Sequence, residues 1–251
     1  MHLHPAKAKM KKRAIAGLLS DEASEEFDRT YRILKIFAAR EGSFCRILDI
    51  GCNRGHISLP IKVVSRAPEV FGLDWNEELL GIAQKKGIIS FKVDIDKDRY
   101  PFEADYFDAV FMGEVLEHLN DPDHALHEIH RILRLNGLLV ITTPNFAAWY
   151  NRVALLLGFQ PYWINNSHEM PSAGQMIKMR SGSIPPQGGH TKLYTHRALR
   201  ELLEFYGFSI VQDVSYAYPI VKKRFSLFNR IDKIMAHFGA SSGIIISSSK
   251  K

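Results

Sequence analysis

From Arg46 onward, short apolar runs alternate with stretches whose apolar residues recur at helical spacing, and this alternation restricts the fold more than any other feature of the chain. An unbroken apolar run is how a strand buried on both faces reads, and amphipathic helices are what cover such faces. The pattern predicts a doubly wound α/β fold around a mostly parallel sheet. Strands are expected at Arg46–Ile50, Val70–Asp74, Ile88–Ile95, Phe107–Met112, Gly137–Thr143, Phe208–Val214 and Gly243–Ser247. Helices are expected over Gly55–Ser65, from a cap at Asn76 to a stop at Gly87, and from Asp121 and Pro122 to a stop at Asn136-Gly137. Asn and Asp cap through their side-chain oxygens, proline suits a first turn, and glycine ends a helix. Two later helices are expected over Thr195–Tyr206 and Phe225–His237.

Ahead of the first strand, Phe27, Tyr31, Leu34 and Phe37 recur at helical spacing within Ala23–Ala39. Residues 1–40 therefore read as an N-terminal helical segment whose role is packing, and residues 41–251 as the main domain. Between Asn145 and Tyr194 the rhythm stops for a stretch rich in aromatic, Met, Pro and Gly residues. Long insertions in compact domains are usually functional, so residues 146–194 read as a cap over a substrate site. Trp149, Tyr150, Phe159, Tyr162 and Trp163 supply the apolar surface a cap needs.

Charge and cysteine content narrow the setting. With 46% hydrophobic and 24% charged residues the chain has the composition of a folded domain, not of a disordered one. Cys45 and Cys52 lie seven residues apart, about 23 Å along a strand, too far for a disulfide. That favours a reduced, cytoplasmic setting, in line with the absence of a signal-peptide core and of any apolar run near the ~20 residues a bilayer needs. The net charge of +6 gathers partly in Lys7, Lys9, Lys11, Lys12 and Arg13, which suits peripheral contact with an anionic membrane surface or a solvated leader. The insertion itself holds only Lys178, Arg180 and Lys192 as a loose basic group, so a nucleic-acid partner is not expected.

The chemistry centres on Asp49-Ile50-Gly51-Cys52-Asn53-Arg54-Gly55, at the first strand-to-helix turn, where open α/β sheets bind ligands. Gly51 and Gly55 let backbone approach a ligand, and Asn53 tolerates positive φ. Asp74, nineteen residues beyond Gly55 and at the end of the second strand, can accept both hydroxyls of a ribose. Asp94 can accept from an adenine amino group, or belong to a solvated acidic loop with Asp96 and Asp98. A dinucleotide site would want a third glycine in the loop, which is absent.

These residues, with Phe107-Asp108-Ala109-Val110 leading into Glu114-Val115-Leu116-Glu117-His118-Leu119, resemble the class I S-adenosylmethionine-dependent methyltransferases over roughly Cys45 to Phe208. The resemblance implies a Rossmann-like methyltransferase fold with seven strands, the last antiparallel, and an inserted cap. It implies S-adenosylmethionine as cofactor, with Asp49, Gly51, Cys52, Asn53 and Gly55 flanking its methionine part. Asp74 and Trp75 would lie at the ribose, Asp94 and Ile95 at the adenine, and Met112, Gly113 and Glu114 at the fourth-strand edge. The family often has glycine where this chain has Asn53. The acceptor implied is a small molecule, methylated on a hydroxyl or carbon of a lipid, quinone precursor or sugar; an RNA 2′-O-methyltransferase and a non-catalytic nucleotide-binding protein are the alternatives.

A hydroxyl acceptor needs a base, and His118 and His190 are the candidates. A helical turn would bring Glu114 and His118 to one side. The Glu-x-x-Glu-His string also resembles the metal-binding motif of a group of small-RNA methyltransferases, yet it is common in this fold without metal, and no metal site is assigned.

Overall fold

A computed structural model describes residues 27–164, 167, 169, 170, 172–176, 189–217 and 226–251. The basic cluster from Lys7 to Arg13, the pair Lys178 and Arg180, and the first residues of both the Ala23–Ala39 and Phe225–His237 helices lie outside the described residues.

The elements run α1 (Phe27–Ala38), β1 (Arg46–Ile50), α2 (Ser58–Ser65), β2 (Glu69–Asp74), α3 (Glu77–Lys85), β3 (Ile89–Lys92), β4 (Phe107–Gly113), a 3₁₀ turn (Leu116–His118), α4 (Pro122–Ile132), β5 (Leu133–Pro144), α5 (Trp149–Leu156), α6 (His196–Phe205), β6 (Phe208–Tyr216), α7 (Ser226–Met235) and β7 (Gly243–Lys250). The seven strands form one sheet in the order β3-β2-β1-β4-β5-β7-β6. All pairs are parallel except those of β7, which lies antiparallel between β5 and β6. The doubly wound sheet with one antiparallel strand is thus present as expected.

Alternation of side chains along each strand divides the core in two. Leu48, Ile50, Leu73, Val110, Met112, Leu139 and Ile141 pack on one face with Leu126, Ile129, Leu199 and Leu203 of α4 and α6. Ile47, Val70, Ala109, Phe111, Leu138 and Val140 pack on the other with Ile33, Leu34 and Phe37 of α1, Ile61 of α2 and Ala83 of α3. Removing any of the Val, Leu, Ile, Met or Phe side chains among these from water contributes about 1.5–3 kcal/mol. On the far edge, His196 at the start of α6 bonds through its two ring nitrogens to Asp213 and Ser215, fastening α6 to β6.

Three boundaries depart from the sequence expectation. α2 begins at Ser58 rather than Gly55, because Gly51, Asn53 and Gly55 all take left-handed φ values, of 73°, 49° and 70°, and hold the loop out of the helix. α4 does not run to Asn136-Gly137 but stops at Ile132, and β5 starts at once with Leu133 paired to Phe107. Asn136, at φ 60°, lies inside β5, where the register with β4 shifts, so this pair of turn residues marks an irregularity within a strand and not a helix end. β3 is only four residues long, as an edge strand can be.

Candidate active site

The sheet order reverses between β1 and β4, whose C-terminal ends lie level: Ile50 pairs with Leu73 of β2 and with Met112 of β4. This is where a crevice opens in a doubly wound sheet. The loop after β1 is fixed by backbone bonds from Gly51 and Cys52 to the carbonyl of Leu73, at 2.8 and 3.0 Å, and from Gly55 to Cys52. A Cβ on Gly51 would stand 2.3 Å from Cγ2 of Val115, so glycine here lets the loop after β4 close against the loop after β1. Gly55 lies on Ala83 and Ile88 instead, at contact distance.

Two carboxylates occupy the crevice. Asp74 is almost fully buried, and its oxygens accept the backbone N–H groups of Asn53 and Asn76 at 2.9 and 3.0 Å. Each oxygen keeps one lone pair for a further donor. Asp49 is buried below the loop, where it accepts from the Ser58 hydroxyl. Burial, and then the charge of Asp74, push its carboxyl up to about 7 against the Ser58 bond. Cys52 is buried beside them, and Trp75 projects into solvent next to Asp74. Asp94 is about half exposed; one oxygen accepts from its own turn at Asp96 and the other faces Lys97. It caps a local turn, while Ile95 is buried behind it.

At the β4 end, Met112 is buried and Gly113 is half-buried. Glu114 takes a left-handed φ of 56°, so no helix carries it to His118 as the spacing suggested. Its carboxylate accepts from Thr142 and Tyr216, each at 2.8 Å, and pairs with Arg29 of α1 at 3.3 Å. Glu114 is therefore a junction between β5, β6 and the N-terminal helix. Arg29 and Tyr216 were not singled out from sequence; a lone Arg on a helix and a Tyr at a strand end carry no signal without their partner.

The two histidines expected as bases do come together, in the 3₁₀ turn after β4 and the segment before α6. His118 is exposed, His190 is half-buried, and their ring centres are 4.8 Å apart. The carbonyl of Glu117 accepts from the backbone of Thr191 and Lys192, at 2.9 and 3.1 Å, and this holds His190 beside His118. Nδ1 of His190 lies 3.1 Å from the carbonyl oxygen of Trp163. A carbonyl only accepts, so Nδ1 carries the proton and Nε2 presents a lone pair. Burial, reinforced by His118, pulls the His190 pKa below its ordinary value and so favours the uncharged ring.

Trp163 in turn donates from its indole nitrogen to the Tyr150 hydroxyl at 3.2 Å. Ala148, Tyr150 and Tyr162 form a small separate core with Trp149, Trp163 and Phe228, so aromatic residues of the insertion brace the histidine pair. Between the histidines and the sheet lies Glu117, 2% exposed, whose Oε2 accepts from Thr143 at 3.0 Å while Oε1 has no partner among the described residues. Burial and the neighbouring Glu114 raise its carboxyl well above the usual carboxylate range.

Against known families, residues 18–213 match the model of the methyltransferase domain. The chain belongs to the methyltransferase domain family. It is 26% identical over 170 residues to the ubiquinone/menaquinone biosynthesis C-methyltransferase UbiE of Blochmanniella pennsylvanica, covering 64% of this chain and 63% of that one. To the malonyl-[acyl-carrier protein] O-methyltransferase of Legionella pneumophila it is 31% identical over 101 residues, 39% of this chain and 36% of that one. The chain thus spans about a third to just under two thirds of these curated relatives. Among solved structures it resembles an S-adenosylmethionine dependent methyltransferase from Mesorhizobium loti, at TM-score 0.59 and 18% identity, covering 88% of this chain and 97% of that one.

The crevice fits the S-adenosylmethionine that the sequence resemblance implies. The spare lone pairs of Asp74 are what vicinal ribose hydroxyls require, and acidic side chains around the loop suit a cationic sulfonium. No helix among the described residues is long and apolar enough to cross a membrane.

Proposed function

We propose that the protein transfers a methyl group from S-adenosylmethionine to a small-molecule acceptor, on a hydroxyl or carbon of a lipid, quinone precursor or sugar. The observation that carries this reading is the convergence of Asp49 and Asp74 at the ends of β1 and β2 with His118 and His190 beyond β4. One end of the crevice offers hydroxyl acceptors and carboxylates, the other a nitrogen lone pair. In this reading Asp49, Gly51, Cys52, Asn53 and Gly55 surround the methionine part, Asp74 and Trp75 the ribose, Asp94 and Ile95 the adenine, and Met112, Gly113 and Glu114 the inner edge.

The bound cofactor supplies a methyl group already activated by its sulfonium. The chain's own task is to align the acceptor with that methyl group and exclude water. Residues 146–194 act as the cap: Trp163 and Tyr150 brace His190, whose Nε2 faces the acceptor end. Relatives named as quinone C-methyltransferases and as a malonyl-carrier O-methyltransferase support a small acceptor. The basic N-terminus suits loose attachment to an anionic membrane where such acceptors reside, with the enzyme cytoplasmic.

Calorimetry with S-adenosylmethionine and with S-adenosylhomocysteine tests the cofactor half; binding of neither would overturn the reading. For the transfer half, label from the methyl group should enter small molecules of a cell extract and not its RNA. Asp74→Ala should weaken S-adenosylmethionine by about 1–3 kcal/mol, since the hydroxyls it serves lose their acceptor. The same calorimetric titration checks it, and an unchanged affinity would remove Asp74 from the ribose site.

A further inference from the structure

We infer that Glu117, His118 and His190 bind a divalent first-row transition-metal ion at the acceptor end of the crevice, and that this ion takes a hydroxyl oxygen of the acceptor. The inference rests on the methyl-transfer reading above and deepens it, because it selects oxygen over carbon as the methylated atom.

One ligand atom from each of the three residues lies within 4.8 Å of the others. A shared ion needs its nitrogen and oxygen ligands at about 2.0–2.2 Å, hence some 3–3.5 Å from one another, so the side chains must close by up to about 1.5 Å. His118 is exposed, and a small rotation of its ring covers that distance. Two imidazoles and one carboxylate are the donor set that zinc, manganese and iron accept with coordination positions left open, whereas magnesium and calcium prefer oxygen ligands.

Two independent features aim this group at an ion. Glu117 is almost wholly buried with one carboxylate oxygen satisfied by Thr143 and the other without a partner among the described residues, a costly arrangement unless something positive completes it. His190 is held through Nδ1 by the Trp163 carbonyl, which leaves Nε2 as the coordinating nitrogen and sets the ring's orientation, as outer partners of metal-bound histidines do. Glu114, which the sequence spacing groups with Glu117 and His118, is instead tied to Arg29, Thr142 and Tyr216. The third ligand comes from the far end of the insertion.

An acceptor hydroxyl on such an ion loses its proton to water more readily. Its oxygen then forms the bond to the methyl carbon as the carbon–sulfur bond breaks. The sulfur keeps that electron pair, and S-adenosylhomocysteine leaves neutral at sulfur.

The test uses the full chain stripped with chelator and titrated with Mn²⁺, Zn²⁺ and Co²⁺ by calorimetry, with the Co²⁺ absorption spectrum as a second readout. One ion per chain is expected, with imidazole-type Co²⁺ bands, and affinity should fall by roughly 100-fold in His118→Ala and Glu117→Gln. His118→Ala alters only an exposed side chain, so it reports even if Glu117→Gln fails to fold. Absence of binding, or equal binding by wild type and His118→Ala, overturns the inference. S-adenosylmethionine titrated in parallel separates the two readings: cofactor bound without metal sinks this inference alone, and failure to bind cofactor sinks the methyl-transfer reading.

Discussion

Substituting Gly243 by alanine is expected to destabilise the protein by about 3 kcal/mol or more, at the upper end of overpacking costs, and so to lower the thermal midpoint by about 6–12 °C. Gly243 opens β7 opposite Tyr216 of β6 and Pro144 of β5. A Cβ there would stand 2.0, 2.3 and 2.5 Å from three ring carbons of Tyr216, which is 1% exposed. The ring cannot swing aside cheaply, because its hydroxyl donates to Glu114 at 2.8 Å and Glu114 in turn pairs with Arg29. Alanine would therefore disturb packing and a half-buried charge together. Gly81→Ala is the matching control, since nothing lies within 4 Å of its added Cβ in the middle of α3. There the better helix former should stabilise by about 0.5–1 kcal/mol. A Gly243→Ala midpoint close to that of wild type would show that Tyr216 is not held as described.

The second large effect concerns pH. Asp49 carries a carboxyl raised from 3.8 to about 7 in the folded protein, so the native state holds this proton more tightly than the unfolded chain. Between these values the native state binds more protons, and stability must fall as pH rises. The contribution is fully present below about pH 4 and lost by about pH 7. An asparagine in place of this aspartate has no charge to bury, yet its amide oxygen can still accept from Ser58. Asp49→Asn should therefore gain stability relative to wild type as pH goes from about 5 to about 8, by a few kcal/mol at the upper end. Urea unfolding of both proteins across that range is the check; parallel curves would mean that Asp49 stays ionised in the fold.

Much of the architecture is legible because buried strands advertise themselves. Leu48, Val110, Leu139 and Ile245 sit in runs too apolar for a surface, and the caps at Asn76 and Asp121 both bond as their residue types require. The α4–β5 boundary is not legible, since Asn136-Gly137 carries the chemistry of a stop and is used inside a strand. Helical spacing misleads from Glu114 to His118 because Glu114 is itself left-handed, and a single dihedral angle leaves no periodic trace. The Asp49 and Asp74 crevice can be anticipated from local order alone. Arg29 beside Glu114, and His190 beside His118, require long-range closure that spacing cannot encode.

The placement of β7 bears on how the molecule is made. Because β6 pairs only with β7 among the described residues, it leaves the ribosome with both hydrogen-bonding edges bare and must wait for a strand that begins well behind it, at Gly243. Vectorial synthesis can assemble β1 to β5 early, but the half containing β6 is completed only once β7 has emerged. A nascent polypeptide of this design therefore carries a sticky, half-built margin until β7 arrives, and that is where slow maturation or chaperone dependence should concentrate.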